Sequence, residues 1–455
     1  MSKLLAQGER ILKHQRKFKD LTAAEIFLQQ SVQTTLRMER WQLKTGEVTQ
    51  EWGGAVRAVI GKGVGFATFT LPANGEQAFQ MAVDNARAAP PTEHITLPTV
   101  KKPKAVKGIY DPKVEQYTVN DMSETLLQLG DIIHVKKMHS ATMSMRANSR
   151  EIAILNTNGV EQATTATKLS LSFECSAKEG DNTTNAFAET YTPNHKFSVN
   201  LEDVAKKARD DALFQLKVKQ IKTAVMDVIL GPYAVREIFG WVLAPALLGH
   251  NVLKKASPFV DKEGKKIASE GLSLTDRGLN PMAFYPAGFD DEGTPRRNVN
   301  VVENGILKTF LYDATSAKEA GKQSTGNSGR FSIYDRRSYV YPPSCATHDL
   351  TVHKGDTKLE EMIADVKRGI YLVYPIGAHS GNIASGSFNV APYVCFLIEG
   401  GEVAGGVKKF LFTSTTPEVL KKINQISKKV EQTGFEWNHQ MSSPHIKIEK
   451  IKIVN

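Results

Sequence analysis

The sequence predicts an α+β protein: N-terminal and middle α/β regions followed by a large antiparallel, β-rich C-terminal domain. Three observations carry that expectation. A helical apolar stripe at residues 76–89 lies among period-two segments in the first hundred residues. A connector rich in proline and lysine then separates this part from the next. Two hairpin signatures, each an apolar run, a turn and a second apolar run, recur in the C-terminal half. The expected domains are 1–99, 100–222 and 223–455.

The first domain opens with a helical stretch from Leu4 to about Gln15. Residues 25–33 and 54–60 alternate as half-buried strands do, and Gly61–Gly65 turns the chain into a third strand, 66–70. The Gly61-x-Gly63-x-Gly65 spacing lacks the G-K-S/T ending of a phosphate loop, so it reads as a hairpin turn. From Glu76 to Ala89, Ala78, Phe79, Ala82, Val83 and Ala86 share one helical side until Pro90-Pro91 stops the helix. Residues 92–113 form the connector, with prolines at 98, 103 and 112.

The middle domain begins and ends with helices, 120–137 and 201–216. Asn200 is placed to cap the second, with Glu202 and Asp203 in its first turn. Between them 141–145 and 151–156 alternate as strands, Asn158-Gly159 marks a hairpin, and 160–175 supplies the returning strands. In the C-terminal domain Asn304-Gly305 and Gly400-Gly401 are the turns of the two hairpins. Helices are expected at 314–321, 358–369 and 417–430, the last with Thr416 as its cap and Pro417 in its first turn.

Bulk properties narrow the function classes. At 455 residues the length suggests roughly three domains, enough for a large core without staples. The 41% hydrophobic and 23% charged shares fit an ordinary globular protein. The longest apolar run, near 238–248, is shorter than the roughly 18 residues that span a bilayer. No apolar centre of a secretory signal follows Met1, so the cytoplasm is the expected compartment. Cys175, Cys345 and Cys395 are too scattered for a disulfide framework and are expected to pack as small reduced hydrophobes. The formal charge of +10 invites a nucleic-acid reading, but the basic residues are dispersed in pairs such as Lys136-Lys137 and Lys206-Lys207 on expected helices.

Candidate chemistry is sparse. Cys345-x-x-His348 with His353 has ligand-like spacing, yet in an extended segment 348 and 353 point to opposite faces. His379 sits in a glycine-rich loop and is expected to face solvent. Adjacent acids Asp290-Asp291-Glu292 could serve acid/base work; an ion pair of Asp290 or Glu292 with Arg296 or Arg297, rigidifying the turn, is the favoured expectation. The same arginines suit the grip of a peptide carboxylate. Ser338, Ser385 and Ser387 lack a nucleophile-elbow context.

The C-terminal half holds Gly288-Phe-Asp-Asp-Glu-Gly293 with Arg296 and Arg297, Val302-Glu-Asn-Gly-Ile-Leu-Lys308, Ser324-Thr325-Gly326-Asn327 with Arg330, Arg368-Gly-Ile-Tyr371, Ser385-Gly-Ser-Phe388 and Leu397-Ile-Glu-Gly-Gly-Glu-Val403. On these residues it resembles the TldD/PmbA family. The resemblance is dense from about 230 to 430 and looser before 220. It implies a cytoplasmic protease in which a TldD chain and a TldE/PmbA chain pair and admit unfolded peptides to an enclosed zinc site supplied by TldD. "Modulator of DNA gyrase" is an older name from that family.

The TldD branch carries an H-E-x-x-x-H zinc motif in the segment that here reads Gly240-Trp-Val-Leu-Ala-Pro-Ala-Leu-Leu-Gly-His250. Aligned on Gly249-His250, the first histidine falls on Pro245 and the glutamate on Ala246. A catalytic zinc needs three protein ligands and a base, and one imidazole supplies neither. Histidines five apart also stand about 140° apart around a regular helix, so even the intact motif requires a helix end or a distortion. The family's C-terminal zinc cysteine is missing, and His439 stands in the region expected to hold it. The resemblance therefore implies the TldE/PmbA branch, with no cofactor in this chain and zinc in a TldD-like partner; a homodimer is the alternative assembly. Asp290, Glu292, Arg296, Arg297, Ser324, Thr325, Gly326, Asn327 and Arg330 are the candidate peptide- or partner-binding residues. The competing functions are an autonomous non-zinc hydrolase using His250, the acids 290–292 or His439, and a nucleic-acid or gyrase-associated regulator.

Overall fold

The computed structural model describes residues 2–70, 74–332, 337–433 and 440–455. Its first half is built on one antiparallel sheet of six strands in the order β3-β2-β1-β4-β5-β6. These are β1 (Ala23–Glu39), β2 (Gln42–Ile60), β3 (Gly63–Thr70), β4 (Met138–Asn156), β5 (Glu161–Glu179) and β6 (Asn182–Thr192). Because β1 pairs with β4 from Glu25↔Asn156 to Glu39↔Thr142, the sheet runs without a break across the expected boundary at 99/100.

Alternation in β1 decides what covers each face. Ala24, Ile26 and Leu28 point to one side and are buried under α1 (Lys3–Leu12) and α2 (Gly75–Ala88). The α2 residues in that cluster, Ala78, Phe79, Ala82, Val83 and Ala86, are the five expected from the helical stripe. Further along, Leu36 and Met38 join the core beneath α4 (Val119–Ile133) and α5 (Leu201–Phe214), beyond the short α3 (Pro112–Glu115). The other side of β1 reads Glu25, Phe27, Gln29, Ser31 and Gln33, and Phe27 packs there against Phe289 and Tyr339 of the C-terminal half. Asn200 caps α5 as expected, accepting from the Glu202 amide at 2.9 Å.

The C-terminal half holds an eight-stranded sheet that includes Ala224–Leu230, Arg368–Ile376, Ser387–Glu399, Leu411–Thr415 and Ile446–Val454, and a six-stranded sheet around Leu274–Arg277 and Asn298–Glu303. Both expected turns are present: Asn304 and Gly305 take φ of 49° and 77°, Gly400 and Gly401 of 62° and 83°. These left-handed values are natural for asparagine and glycine. All three cysteines are free and buried. Among the described residues no helix is long and apolar enough to cross a membrane.

Several local expectations are corrected. Strands β1 and β2 run far beyond 25–33 and 54–60, joined by Arg40 and Trp41 at φ of 45° and 70°, residues that give no turn signal. The two strands expected at 141–145 and 151–156 are one. The helix expected at 358–369 is Leu359–Ala364, because Arg368–Ile376 is claimed by parallel pairing with Ala224–Leu230 and antiparallel pairing with Ser387–Glu399. The helix expected at 417–430 is Thr416–Lys422; Ile423–Ile426 pairs with Ile446–Val454 instead. Its cap is Thr415, whose hydroxyl accepts from the Glu418 amide at 3.2 Å, and Thr416 is the first helical residue.

Candidate functional site

The segment aligned with the zinc motif is a helix interrupted twice. Pro232–Ile238 is α-helical, Phe239–Leu243 widens to a π-turn in which the Ala244 N–H donates to the Phe239 carbonyl, and Ala244–Ala246 resumes the α-form. The wide turn immediately precedes Pro245, which has no N–H and whose ring crowds the carbonyl four residues back. Leu248 then leaves helical conformation (φ −85°, ψ 130°) and bridges Leu311, and a second short helix, Gly249–Leu253, begins. Pro245 and His250 therefore lie on different helical pieces, a break of the kind the five-residue spacing demands.

That local geometry does not bring zinc donors together. The Pro245 carbonyl accepts from Asn251 Nδ2 at 2.9 Å and the Ala246 carbonyl from Ser257 Oγ at 2.6 Å. His250 is half-buried, and its Nδ1 has no hydrogen-bond partner among the described residues. Burial, with Lys254 second, pushes its pKa down to about 4. Among the described residues no group of three His, Cys, Asp or Glu could hold a metal ion. His439 lies outside the described residues. The side chains here do not fit a catalytic zinc. The Cys345, His348 and His353 spacing disperses: His348 Nε2 contacts the Gly326 carbonyl at 2.6 Å and His353 Nε2 the Thr275 hydroxyl at 2.8 Å.

Most candidate residues instead gather where the first sheet meets the C-terminal half. Residues 290–294 make a turn closed by Asp290, whose N–H donates to the Thr294 carbonyl at 2.9 Å, with Gly293 at φ 86°. The Asp290 carboxylate accepts from the Glu292, Thr294 and Ser328 amides at 3.0, 2.9 and 3.1 Å. Burial and the neighbouring Glu292 push its pKa up. The expected partners are corrected: Glu292 pairs with Arg57 of β2 at 2.9 Å, and Arg297 faces solvent. Arg57 also pairs at 2.7 Å with Glu25, its register neighbour on β1, and Glu25 holds Arg330 as well. Burial opposes the charge on Arg57, but Glu25 and Glu292 outweigh it and raise its pKa. Asp291 receives the Arg330 amide at 2.8 Å and pairs with Arg337.

The Ser324–Asn327 loop is a brace. Ser324 and Thr325 hydroxyls donate to the Tyr312 carbonyl, and Asn327 Nδ2 donates to Asp276 at 2.6 Å and to the Ala346 carbonyl at 2.9 Å. Gly326 has φ 77°, and a Cβ there would meet the Pro295 carbonyl oxygen at 2.5 Å. Glu25, Asp290, Asp291, Glu292 and Arg330 are all at most 1% exposed. Buried pairs of this kind fix geometry, and none of these acids is left free to act as a base toward solvent.

Beside this junction, the polar side of the sheet floors a cleft of about 410 Å³ lined by Gln29, Ser31, Gln33, Arg150, Tyr285 and Arg337, among others. A recess of about 30 Å³ shares Arg150, Lys168, Tyr285 and Arg337 with it and reaches Arg296. Sequence reasoning did not select Glu25, Arg57, Arg150, Lys168, Tyr285 or Arg337. A signal existed for the first two: single charges inside apolar runs, Ala24-Glu25-Ile26 and Val56-Arg57-Ala58.

Comparisons with known proteins fit this architecture. Residues 223–455 match the PmbA/TldA metallopeptidase C-terminal domain, and 24–89 match PmbA/TldA metallopeptidase domain 1. A metalloprotease TldD homolog of Buchnera aphidicola is 25% identical over 439 residues, 90% of this chain and 86% of the relative. The crystal structure of TldE from Thermococcus kodakarensis superposes with a TM-score of 0.89 at 25% identity, covering 99% of this chain and all of the other. A Thermotoga maritima protein described as a modulator of a DNA gyrase shares the fold, with a TM-score of 0.85 at 20% identity, 99% of this chain and all of the other.

Proposed function

Since the chain belongs to the PmbA/TldA metallopeptidase family, we propose that it is the TldE/PmbA-type member of a two-chain cytoplasmic protease, a subunit that holds no zinc and depends on a TldD-like partner for hydrolysis. The carrying observation is the donor set at the motif positions: Pro245, Ala246 and one half-buried His250. No step of bond cleavage is assigned to this chain. Its role is to complete the chamber and to receive unfolded peptide.

Two features support the second role. Among the described residues, β3 pairs with β2 from Gly53 to Ile60 alone, and residues 42–52 of β2 are exposed. An extended peptide can add to such an edge through main-chain hydrogen bonds. Thr49 and Glu51 of that same stretch line the cleft.

The test is elemental analysis of the purified chain together with a mixing experiment. The chain alone is expected to carry no stoichiometric zinc and to cleave no unfolded peptide, with cleavage appearing when a TldD-like chain that has an intact H-E-x-x-x-H motif is added. One tightly bound zinc per isolated chain, or chelator-insensitive cleavage by it, overturns the assignment.

A further inference from the structure

The cleft beside the junction is lined by far more cationic than anionic side chains. Its described lining and that of the adjoining recess carry Arg146, Arg150, Lys168, Arg296 and Arg337 against one carboxylate, Glu51. Tyr285 is the hub. The Arg150 and Arg337 guanidinium carbons lie 4.9 and 5.6 Å from its ring centroid, the Lys168 ammonium 5.5 Å, and Arg296 Nη1 donates to its carbonyl at 2.8 Å. Four cationic side chains thus converge on one residue.

The internal partners of Arg150 and Arg296 do not use up their donors. Arg337 is committed to Asp291 and to the Ser328 carbonyl. Arg296 is only 3% exposed, yet the Tyr285 carbonyl is the one acceptor of its guanidinium among the described residues, and its Nε has none. Asp290, Asp291 and Asp276 lie near enough to favour its charge without hydrogen-bonding it. Arg150 donates from Nη2 to Gln29 at 2.8 Å, and its Nε likewise lacks a partner. Buried guanidinium donors left unmatched cost free energy unless an acceptor arrives. Burial and Arg337 accordingly press the Arg296 pKa down to about 9.

We propose that this cleft is an oxyanion site for a carboxylate, filled by the C-terminal carboxylate of an extended peptide held between Arg150, Arg296 and Arg337 over Tyr285. Guanidinium groups match a planar carboxylate in bidentate fashion. Phe284 and Tyr285 supply an apolar wall for the terminal side chain, and about 410 Å³ admits a terminal segment but no folded domain. The polar row Gln29, Ser31 and Gln33 offers donors and acceptors for the peptide backbone. This inference rests on the peptide-receiving part of the functional reading and is independent of the partner chain.

The test uses the isolated full chain, so it separates from the mixing experiment. Calorimetric titration with N-acetyl-tetraalanine bearing a free C-terminus is compared with its C-terminal amide, inorganic phosphate and an oligothymidylate. The free acid is expected to bind at least about ten-fold more tightly than the amide, and Arg150→Gln to abolish that preference, because a charge-assisted pair is lost. Lys168→Gln serves as a second variant if Arg150→Gln does not fold, and is expected to weaken the acid selectively. Equal affinity for acid and amide, no binding of the acid, or unchanged preference in a folded variant overturns the site. Phosphate or oligothymidylate binding more tightly than the acid overturns its assignment to a peptide terminus.

Discussion

From Phe239 to Leu253 the chain packs an almost wholly apolar segment in which two side chains, Asn251 and Ser257, each cover a carbonyl. Where the first sheet meets residues 288–337 it does the reverse, enclosing Glu25, Arg57, Asp290, Asp291, Glu292 and Arg330 almost completely. The difference is one of environment. The segment aligned with a family zinc motif is mostly apolar packing, whereas the contact between halves is a charged, hydrogen-bonded lattice beside an electropositive cleft. Hydrophobic packing tolerates substitution of similar volume. A buried charge whose partner is removed does not.

The strongest way to break this contrast is Glu25→Ala. It takes from Arg330 its carboxylate partner and from Arg57 one of two, Glu292 remaining, inside the junction. Removing one partner of a buried pair costs about 3–5 kcal/mol, so the urea midpoint should fall steeply. A loss under about 1 kcal/mol, the scale of an exposed pair, would show that the lattice is solvated and that the junction gives way on demand.

Acid sharpens the contrast next. The folded pKa of His250 is depressed, by burial first and Lys254 second, from 6.5 to about 4. Between those values the unfolded chain binds a proton that the folded chain refuses, so stability falls as pH drops from 6.5 towards 4 and the loss is complete below that. At 1.36 kcal/mol per pKa unit the effect is at most about 3 kcal/mol. His250→Ala should flatten that part of the acid limb, while His445, also held down to about 4 by burial, keeps its own contribution. An unchanged slope from pH 7 to 4.5 in His250→Ala would mean that the imidazole is solvated, as a ligand awaiting a metal would be.

Much of this was legible in the chain itself. The α2 stripe, the Asn158-Gly159, Asn304-Gly305 and Gly400-Gly401 turns and the α+β class follow from periodicity and from residues that tolerate positive φ. The Arg40-Trp41 turn was not, since neither residue favours that conformation and the long β1–β2 pairing imposes it. The expected helix at 358–369 ends early, at Ala364, because the strand Arg368–Ile376 is claimed by partners near residues 227 and 396, far away in sequence. At the junction, local reading singles out Asp290, Glu292 and Arg296 and the family resemblance adds Arg330, whereas Arg150 and Arg337 come there through tertiary pairing and Glu25 and Arg57 are marked only as single charges in apolar runs. Pro245, Ala246 and His250 were singled out by aligning the segment with the family's zinc motif, a comparison of residue types that needs no tertiary contact.

The smallest effect tests how the apolar segment manages its interruption. A helix that stops leaves carbonyls without partners, and here the stop at Ala246 is covered by Ser257 and the carbonyl before it by Asn251. Each bond is worth about 1 kcal/mol, so Ser257→Ala and Asn251→Ala should each lower stability by that amount, measured by urea unfolding. Ser257→Ala should be the costlier, since Ala246 is fully buried and Pro245 only half-buried. Neither change should alter zinc content or peptide binding in the cleft. Losses several-fold larger would make the break a keystone of the C-terminal core, and a change in cleft affinity would join the two regions that the structure keeps apart.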